Sequence, residues 1–420
     1  MPEQNTNTFT GYQKFIVAIL AVLQFTVVLD FMVLSPLGAI LLKELSISTS
    51  QFGLVVSAYA FSAGSAGLLA AGFADKFDRK KLLLFFYTGF VVGTLLCGIA
   101  PDYHFLLMAR IVTGIFGGVI GSISFAIITD IFPMQMRGRV MGFVQMAFGL
   151  SQVLGIPIGL YLANIFGWHA PFLMIVALAL IIGVVLILYL KPINEHLKIQ
   201  KEGNAFQHLG SIISKPQYLR GFAATALLAT GGFMLMPFGS AYGVHNLGIS
   251  LTQLPVLYMV TGVCMLVFSP VIGKLSDKIG KYPMFIGGSV VTCIMTLIYC
   301  NLEITPLWII MILNVFLFVG ITGRMISASA LMTAVPEPQD RGGFMGVNSS
   351  VQQISGGIAS LIAGYIVSET STGYLENYPT LGNVVVGAVI LTIFLMYSIH
   401  KYVRDKPSVT PPGAVQKEAV

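Results

Sequence analysis

What most constrains this chain is the recurrence, almost from one end to the other, of apolar runs long enough to cross a lipid bilayer. A helix of about 20 apolar residues spans the ~30 Å hydrocarbon core. The stretch 15–42, interrupted by Asp30, and the stretch 170–190 are two such runs. Hydrocarbon offers no water to free peptide groups, so these runs must be helices, which satisfy their own backbones. Charged residues, Gly and Pro punctuate the sequence into twelve spans, at about 14–42, 50–71, 81–100, 103–130, 138–165, 169–190, 218–244, 252–273, 282–301, 306–333, 342–367 and 381–402. A soluble fold is excluded on the same ground: 56% of the 420 residues are hydrophobic and only 10% charged, against roughly 25% charged in an ordinary soluble domain. The fold class expected is an all-α membrane protein. Residues 1–13 are polar without a basic residue, and the run behind them is too long for a signal-peptide core, so it is read as a permanent first helix.

The distribution of positive charge orients the spans. With both termini cytoplasmic, twenty of the 23 Lys and Arg fall in cytoplasmic loops and tails, Lys43 falls outside, and Arg110 and Arg324 fall within spans. Cytoplasmic loops carry such an excess, so an even number of spans is predicted with both ends inside a plasma membrane, or the inner membrane of a Gram-negative cell. The same distribution accounts for the net charge of +6 and argues against a nucleic-acid partner. The pair Ser48 and Gln51 fits a capping box opening the second span.

The two halves of the chain repeat each other. Pro36 and Gly38 recur as Pro237 and Gly239, 201 positions later, and the basic loop that begins at Gly72 recurs from Gly273 at the same offset. Arg137, Gly138, Met141 and Gly142 recur as Arg341, Gly342, Met345 and Gly346 at an offset of 204. A duplicated six-helix unit explains all of these. The organisation predicted is a six-helix bundle over 1–190, a cytoplasmic linker over 191–217, a second bundle over 218–402 and a tail over 403–420. Repeats of this kind place a solute site near the midplane between pseudo-symmetric halves, with access alternating by rocking.

With the repeat in view, the chain resembles the major facilitator superfamily over its whole length apart from the tails. The loop GFADKFDRKK is similar to that family's GxxxDxxxRK signature through Gly72, either Asp75 or Asp78, and Arg79 with Lys80. Arg110 followed by Gly114 in the fourth span is similar to a second family motif, and Gly149, Gly155, Pro157 and Gly159 in the fifth resemble the motif associated with antiporters. The resemblance implies twelve helices in two bundles and a secondary transporter most like the proton-coupled drug and metabolite exporters. It implies a small-molecule substrate, protons and the bilayer as partners, a monomer, and no cofactor. Proton symport for uptake, or a channel, are the alternatives.

Chemistry-bearing residues stand out against the apolar background. Asp30 lies about sixteen residues, or ~24 Å, into the first span. A carboxylate inside a membrane is costly unless it faces a cavity, a partner or a proton. Burial favours its neutral form and a nearby Arg110 its charged form, so the pair is a candidate for proton coupling, the alternative being a permanent structural ion pair. The position 201 later is Gly231, which confines the acid to one half. Gly72, Asp75, Asp78, Arg79, Lys80 and Asp130 are candidates for a cytoplasmic gate or for a plain positive anchor. Arg324 reads as a gate residue or as a snorkelling anchor near the cytoplasmic interface. Pro36 and Pro237 predict bent or broken helices. Gln24, Tyr59, Gln145, Gln152, Phe233, Met236, Tyr258, Asn314, Asn348 and Gln352 are candidates for lining a cavity or for bonding helices together. The four cysteines lack metal-type spacing, and no HExxH, GxSxG or phosphate-loop motif occurs, so no metal, no enzyme and no nucleotide-driven pump is expected.

Overall fold

The computed structural model describes residues 9–70, 73–194, 197, 205–337 and 340–405. Helices dominate it. The first half is built from α1 (Gly11–Val33), α2 (Gly38–Glu44), α3 (Thr49–Ala70), α4 (Arg79–Gly98), α5 (Tyr103–Ile131), α6 (Met134–Leu150), α7 (Ile156–Phe166) and α8 (Ala170–Tyr189). A short helix, α9 (Ala205–Ser214), lies within the predicted linker, which the sequence reading left unstructured. The second half comprises α10 (Pro216–Phe233), α11 (Gly239–His245), α12 (Leu254–Ile279), α13 (Lys281–Tyr299), α14 (Leu307–Ala334), α15 (Arg341–Ile366) and α16 (Tyr378–Asp405). Between α15 and α16 a two-stranded hairpin forms from β1 (Ser368–Glu369) and β2 (Leu375–Glu376).

These elements amount to twelve membrane spans in two bundles of six. The first and seventh spans are each broken near their proline, α1 from α2 at 34–37 and α10 from α11 at 234–238, which places the two breaks at corresponding points of the repeat. The fifth span is α6 joined to α7 through a π-helical stretch, Ser151–Gly155. Pro157 has no N–H to donate, and its ring crowds the preceding turn, so the backbone widens just before it. The capping box at Ser48 is present, and half of it recurs with the repeat. Ser48 N–H donates to Gln51 Oε1 at 2.9 Å while Gln51 N–H donates to Ser48 Oγ at 3.2 Å, and Ser250 N–H donates to Gln253 Oε1 at 3.0 Å.

Among the described residues, ten helical runs are long and apolar enough to cross a membrane by themselves. The seventh and eleventh spans are not, because α10 carries Arg220, Thr225 and paired glycines, and α15 is rich in Ser, Gln and Gly. Many of those small and polar residues face protein, although Arg220 is exposed. A Cβ on Gly53 of α3 would meet the Ser360 carbonyl of α15 at 2.9 Å, and one on Gly64 would meet Ile354 at 2.6 Å. Small residues thus let α3 and α15 run close together across the two halves. The lipid-facing surface is the reverse: Leu180, Ile181, Ile187 and Leu188 of α8 are exposed, and exposed Tyr189, Trp308, Tyr365 and Tyr397 belong to the aromatic belts typical of membrane boundaries.

The bundle has a linker end, where residues 9–12, 191–194 and α9 lie, and a hairpin end, where β1 and β2 lie. The halves are sealed against each other at the hairpin end. Thr49 Oγ1 donates to the Val367 carbonyl at 2.6 Å, Ser240 Oγ to the Ser35 carbonyl at 3.0 Å and Asn164 Nδ2 to the Leu251 carbonyl at 2.9 Å. Phe52 and Phe238 meet edge to face at 5.8 Å. The hairpin is held on α11 by Asn246, whose Nδ2 donates to the Leu375 carbonyl while its Oδ1 accepts from Leu375 N–H.

Candidate functional site

Asp30 and Arg110 are brought together. Both side chains are buried, and Arg110 Nη1 lies 2.8 Å from Asp30 Oδ2. The second carboxylate oxygen accepts from Thr94 Oγ1 at 3.1 Å, and Arg110 Nη1 also reaches the Asp30 carbonyl at 3.4 Å. The guanidinium carbon stands 4.5 Å from the centre of the Tyr59 ring. Sequence reading placed Tyr59 among the cavity residues; it is instead the buried floor of the ion pair, with Phe31 against its other neighbourhood at 5.3 Å. Thr94 was missed, its only signal being a hydroxyl in an apolar span.

The glycines of α5 set this geometry. A Cβ on Gly114 would stand 2.0 Å from Ser62 Oγ and 2.5 Å from the Tyr59 carbonyl, and one on Gly118 would stand 2.4 Å from Ala63 Cα. Glycine at these points lets α5 lie directly on α3, which carries Arg110 over Tyr59 and within reach of α1. The pair has donors to spare: among the described residues Arg110 Nε has no hydrogen-bond partner. A buried pair of this kind resists loss of one member, which typically costs about 3–5 kcal/mol.

The antiporter-type motif lies beside this pair. A Cβ on Gly155 would meet Leu29 Cδ1, next to Asp30, at 2.5 Å, and one on Gly159 would meet Val33 at 3.1 Å. On the other side, Val153 of the π-helical stretch packs on Gly262 of α12, and a Cβ on Gly149 would meet Leu266 of α12 at 3.2 Å. Pro157 is buried. The widened helix therefore touches the acid-bearing helix on one side and the second bundle on the other.

At the linker end, Arg79 Nε lies 3.0 Å from Asp130 Oδ2 and Arg79 Nη1 donates to the Ala74 carbonyl at 3.0 Å. Both members of this pair belong to the first half. Asp78, offered by the signature as a gate acid, is the N-cap of α4 and accepts from Lys81 N–H at 3.1 Å. Lys80 Nζ donates to the Ile187 carbonyl near the end of α8 at 3.0 Å. Gly72 lies outside the described residues, as does the side chain of Asp75. The second half has its own linker-end cluster, which sequence reading missed: Lys215 Nζ lies 2.5 Å from Asp340 Oδ2, and Tyr218 Oη donates to the same oxygen at 2.8 Å. The bond to Asp340 holds the Lys215 ammonium above its usual pKa. The readable signal was that each charge stands just before a span begins.

Two of the residues offered for lining a cavity or for bonding helices together make interhelical bonds. Asn314 Nδ2 donates to Thr261 Oγ1 at 2.9 Å, tying α14 to α12, and Thr225 Oγ1 donates to Asn348 Oδ1 at 2.6 Å, tying α10 to α15. Phe233 meets Phe31 at 5.8 Å across the two halves. Gln24, Gln152, Met236, Tyr258 and Gln352 are half-buried, and the side chain of Gln145 lies outside the description. Arg324 does not snorkel to an interface; it is buried within the second bundle, 3% exposed.

The sequence profile of the Major Facilitator Superfamily matches residues 20–262 and 221–419. The chain belongs to that superfamily. Among major facilitator proteins it is 26% identical over 348 residues to the uncharacterised MFS-type transporter YceJ of Bacillus subtilis (strain 168), covering 82% of this chain and 87% of that one. It is 33% identical over 151 residues to Multidrug resistance protein 3 of the same organism, a match to 36% of this chain and 30% of that one. A bacterial homolog to the human lysosomal transporter Spinster, in an inward-facing and occupied conformation, shares the fold with a TM-score of 0.75 at 15% identity, over 96% of this chain and all of that one. The nucleoside transporter NupG shares it with a TM-score of 0.69 at 13% identity, over 92% and 99%. As a major facilitator protein this chain is an integral membrane transporter of small molecules.

Proposed function

We propose that the chain is a proton-coupled antiporter that exports a small organic solute by alternating access, with its linker end in the cytoplasm. The observation that carries the reading is the buried Asp30–Arg110 pair: one acid inside the membrane, held by one guanidinium and one hydroxyl. A proton arriving on Asp30 removes the charge that holds Arg110, and the freed guanidinium then finds its best partners in a different arrangement of α1 and α5. The motif around Gly155 supports coupling of that change to the second bundle, since it touches Leu29 on one face and α12 on the other. The name of the multidrug relative is consistent with export, and the Asp30 carboxylate occurs in the first bundle alone, at a position where the second has Gly231.

The test is uphill flux in proteoliposomes with an imposed pH gradient, using solutes first selected by counterflow. Asp30→Asn keeps the size of the side chain and an oxygen for Thr94 but cannot release a proton. It is expected to abolish gradient-driven accumulation while leaving substrate exchange measurable. Full gradient-driven accumulation by correctly inserted Asp30→Asn protein refutes the coupling role.

A further inference from the structure

The second bundle contains a buried arginine, two of whose three guanidinium nitrogens have no hydrogen-bond partner among the described residues. Arg324 lies on α14, which runs from the hairpin end to the linker end. Helical side chains lean toward the N-terminus of their own helix, so Arg324 reaches back toward the middle of the bundle. Its guanidinium carbon stands 5.7 Å from the centre of the Phe285 ring. Among the described residues, neither Nε nor Nη2 has a hydrogen-bond partner, although both atoms are buried. These two nitrogens share one edge of the planar guanidinium, and their parallel N–H bonds form the fork that receives a carboxylate through two hydrogen bonds.

The internal repeat shows what the first bundle has at the corresponding place. Gly231 follows Asp30 by 201 positions, the same offset that relates Gly38 to Gly239 at the two helix breaks. A Cβ built on Gly231 would stand 3.6 Å from Arg324 Nη1 and 3.6 Å from Val389 Cγ2, both ordinary contact distances. Asp30 answers Arg110 with a carboxylate of the protein's own. Arg324 is not the repeat counterpart of Arg110, which the offsets of 201 and 204 carry to Met311 and Asn314, but Gly231 beside it offers no side chain. A buried charge with unused donors is costly to keep, and an anion with two coplanar oxygens relieves that cost.

We propose that the Nε–Nη2 edge of Arg324 is the subsite for the carboxylate of the transported solute, which makes organic acids and zwitterions the substrate class. This deepens the transport reading and rests on it for the word solute, but the anion site itself is read by binding alone. The probe is acetate, compared with acetamide and with chloride at equal ionic strength, and the readout is the thermal unfolding midpoint of the purified full-length protein in detergent. Acetate is expected to raise the midpoint saturably while acetamide and chloride do not. Arg324→Gln removes the fork and should abolish the acetate response. Gly231→Asp puts an internal carboxylate beside Arg324 Nη1, at a point where a Cβ makes only ordinary contacts, so by neutralising the guanidinium it should raise the ligand-free midpoint and also abolish the response. Arg324→Lys keeps the charge without the fork and should weaken acetate binding about tenfold. An equal response to chloride, or an acetate response that survives Gly231→Asp, overturns the proposal. Failure of proton-driven flux with the acetate response intact would instead count against the antiport reading alone.

Discussion

Two ion pairs in the first bundle differ in what surrounds them, and the difference sets what each can do. Asp30 and Arg110 are sealed among Thr94, Tyr59 and helix backbone, whereas Arg79 is buried but its partner Asp130 is 21% exposed at the side chain. Water competes for Asp130 and not for Asp30. Arg79→Ala is expected to remove a charge-assisted bond of about 1.5–3 kcal/mol and to slow transport, measured as solute flux after insertion and orientation are verified. Wild-type flux from correctly inserted protein would make Arg79 an anchor only. Arg110→Lys keeps the charge but loses the planar guanidinium that lies over the Tyr59 ring while reaching Asp30, so gradient-driven flux should fall while exchange persists. Flux and exchange falling together would point to a folding defect instead. Asp30, Arg110 and Arg324 were legible in the sequence because a charge inside an apolar run has few innocent explanations. Thr94 was not, since hydroxyls are affordable in almost any membrane helix when they bond back to the preceding turn. The environment of Arg324 was illegible for another reason: residue spacing gives depth along a helix but not which neighbour the side chain meets.

At the scale of elements, glycines and prolines carry most of the information, and they differ in how openly they show it. The breaks at 34–37 and 234–238 were readable from Pro36 and Pro237, because a ring without an N–H must interrupt the ladder somewhere nearby. The π-helical widening at Ser151–Gly155 was not, because Pro157 permits a kink, a break or a widened turn, and packing against Leu29 and Gly262 chooses among them. Helix α9 escaped notice because a ten-residue helix in a charged linker has too short an apolar pattern to register. Gly114 offers the sharpest element-scale prediction. Gly114→Ala forces its new methyl onto Ser62 Oγ and the Tyr59 carbonyl, so α5 must lift off α3 at a cost of about 1–3 kcal/mol. Gly142→Ala on α6, where nothing lies within 4 Å, should leave the unfolding midpoint unchanged or slightly raised. Equal midpoints for the two variants in a detergent melt would show that α3 and α5 do not depend on that close approach. The lifted helix also carries Arg110 away from Asp30, so Gly114→Ala should lose proton coupling more than exchange.

At the scale of the whole molecule, the twofold repeat was legible because insertions are costly inside membrane helices, which preserves offsets of 201 and 204 residues between halves. The state of the transporter was not legible, because every interhalf contact depends on how two bundles of fixed sequence are tilted. The proposed orientation is tested by single cysteines at Gly203 and Gly413, which should resist impermeant thiol reagents in intact cells; ready labelling of both would reverse the topology. The seal at the hairpin end supports a second experiment. Thr49 Oγ1 bonds the Val367 carbonyl, and around it Gly53 and Gly364 bring α3 and α15 together. If alternating access operates, these contacts must break once per cycle, since a solute passing between the halves has to leave or enter at that end. Thr49→Cys and Val367→Cys, introduced after replacement of the native Cys97, Cys264, Cys293 and Cys300, place two thiols on opposite sides of the seam. A short reducible cross-linker joining them should arrest flux through at least tenfold slowing while the linker end still opens, so substrate remains able to bind from that side. Reduction should restore transport to the level of the uncross-linked double variant. Undiminished flux in fully cross-linked protein would mean that the hairpin end does not open, and the rocking mechanism would have to be abandoned for this chain.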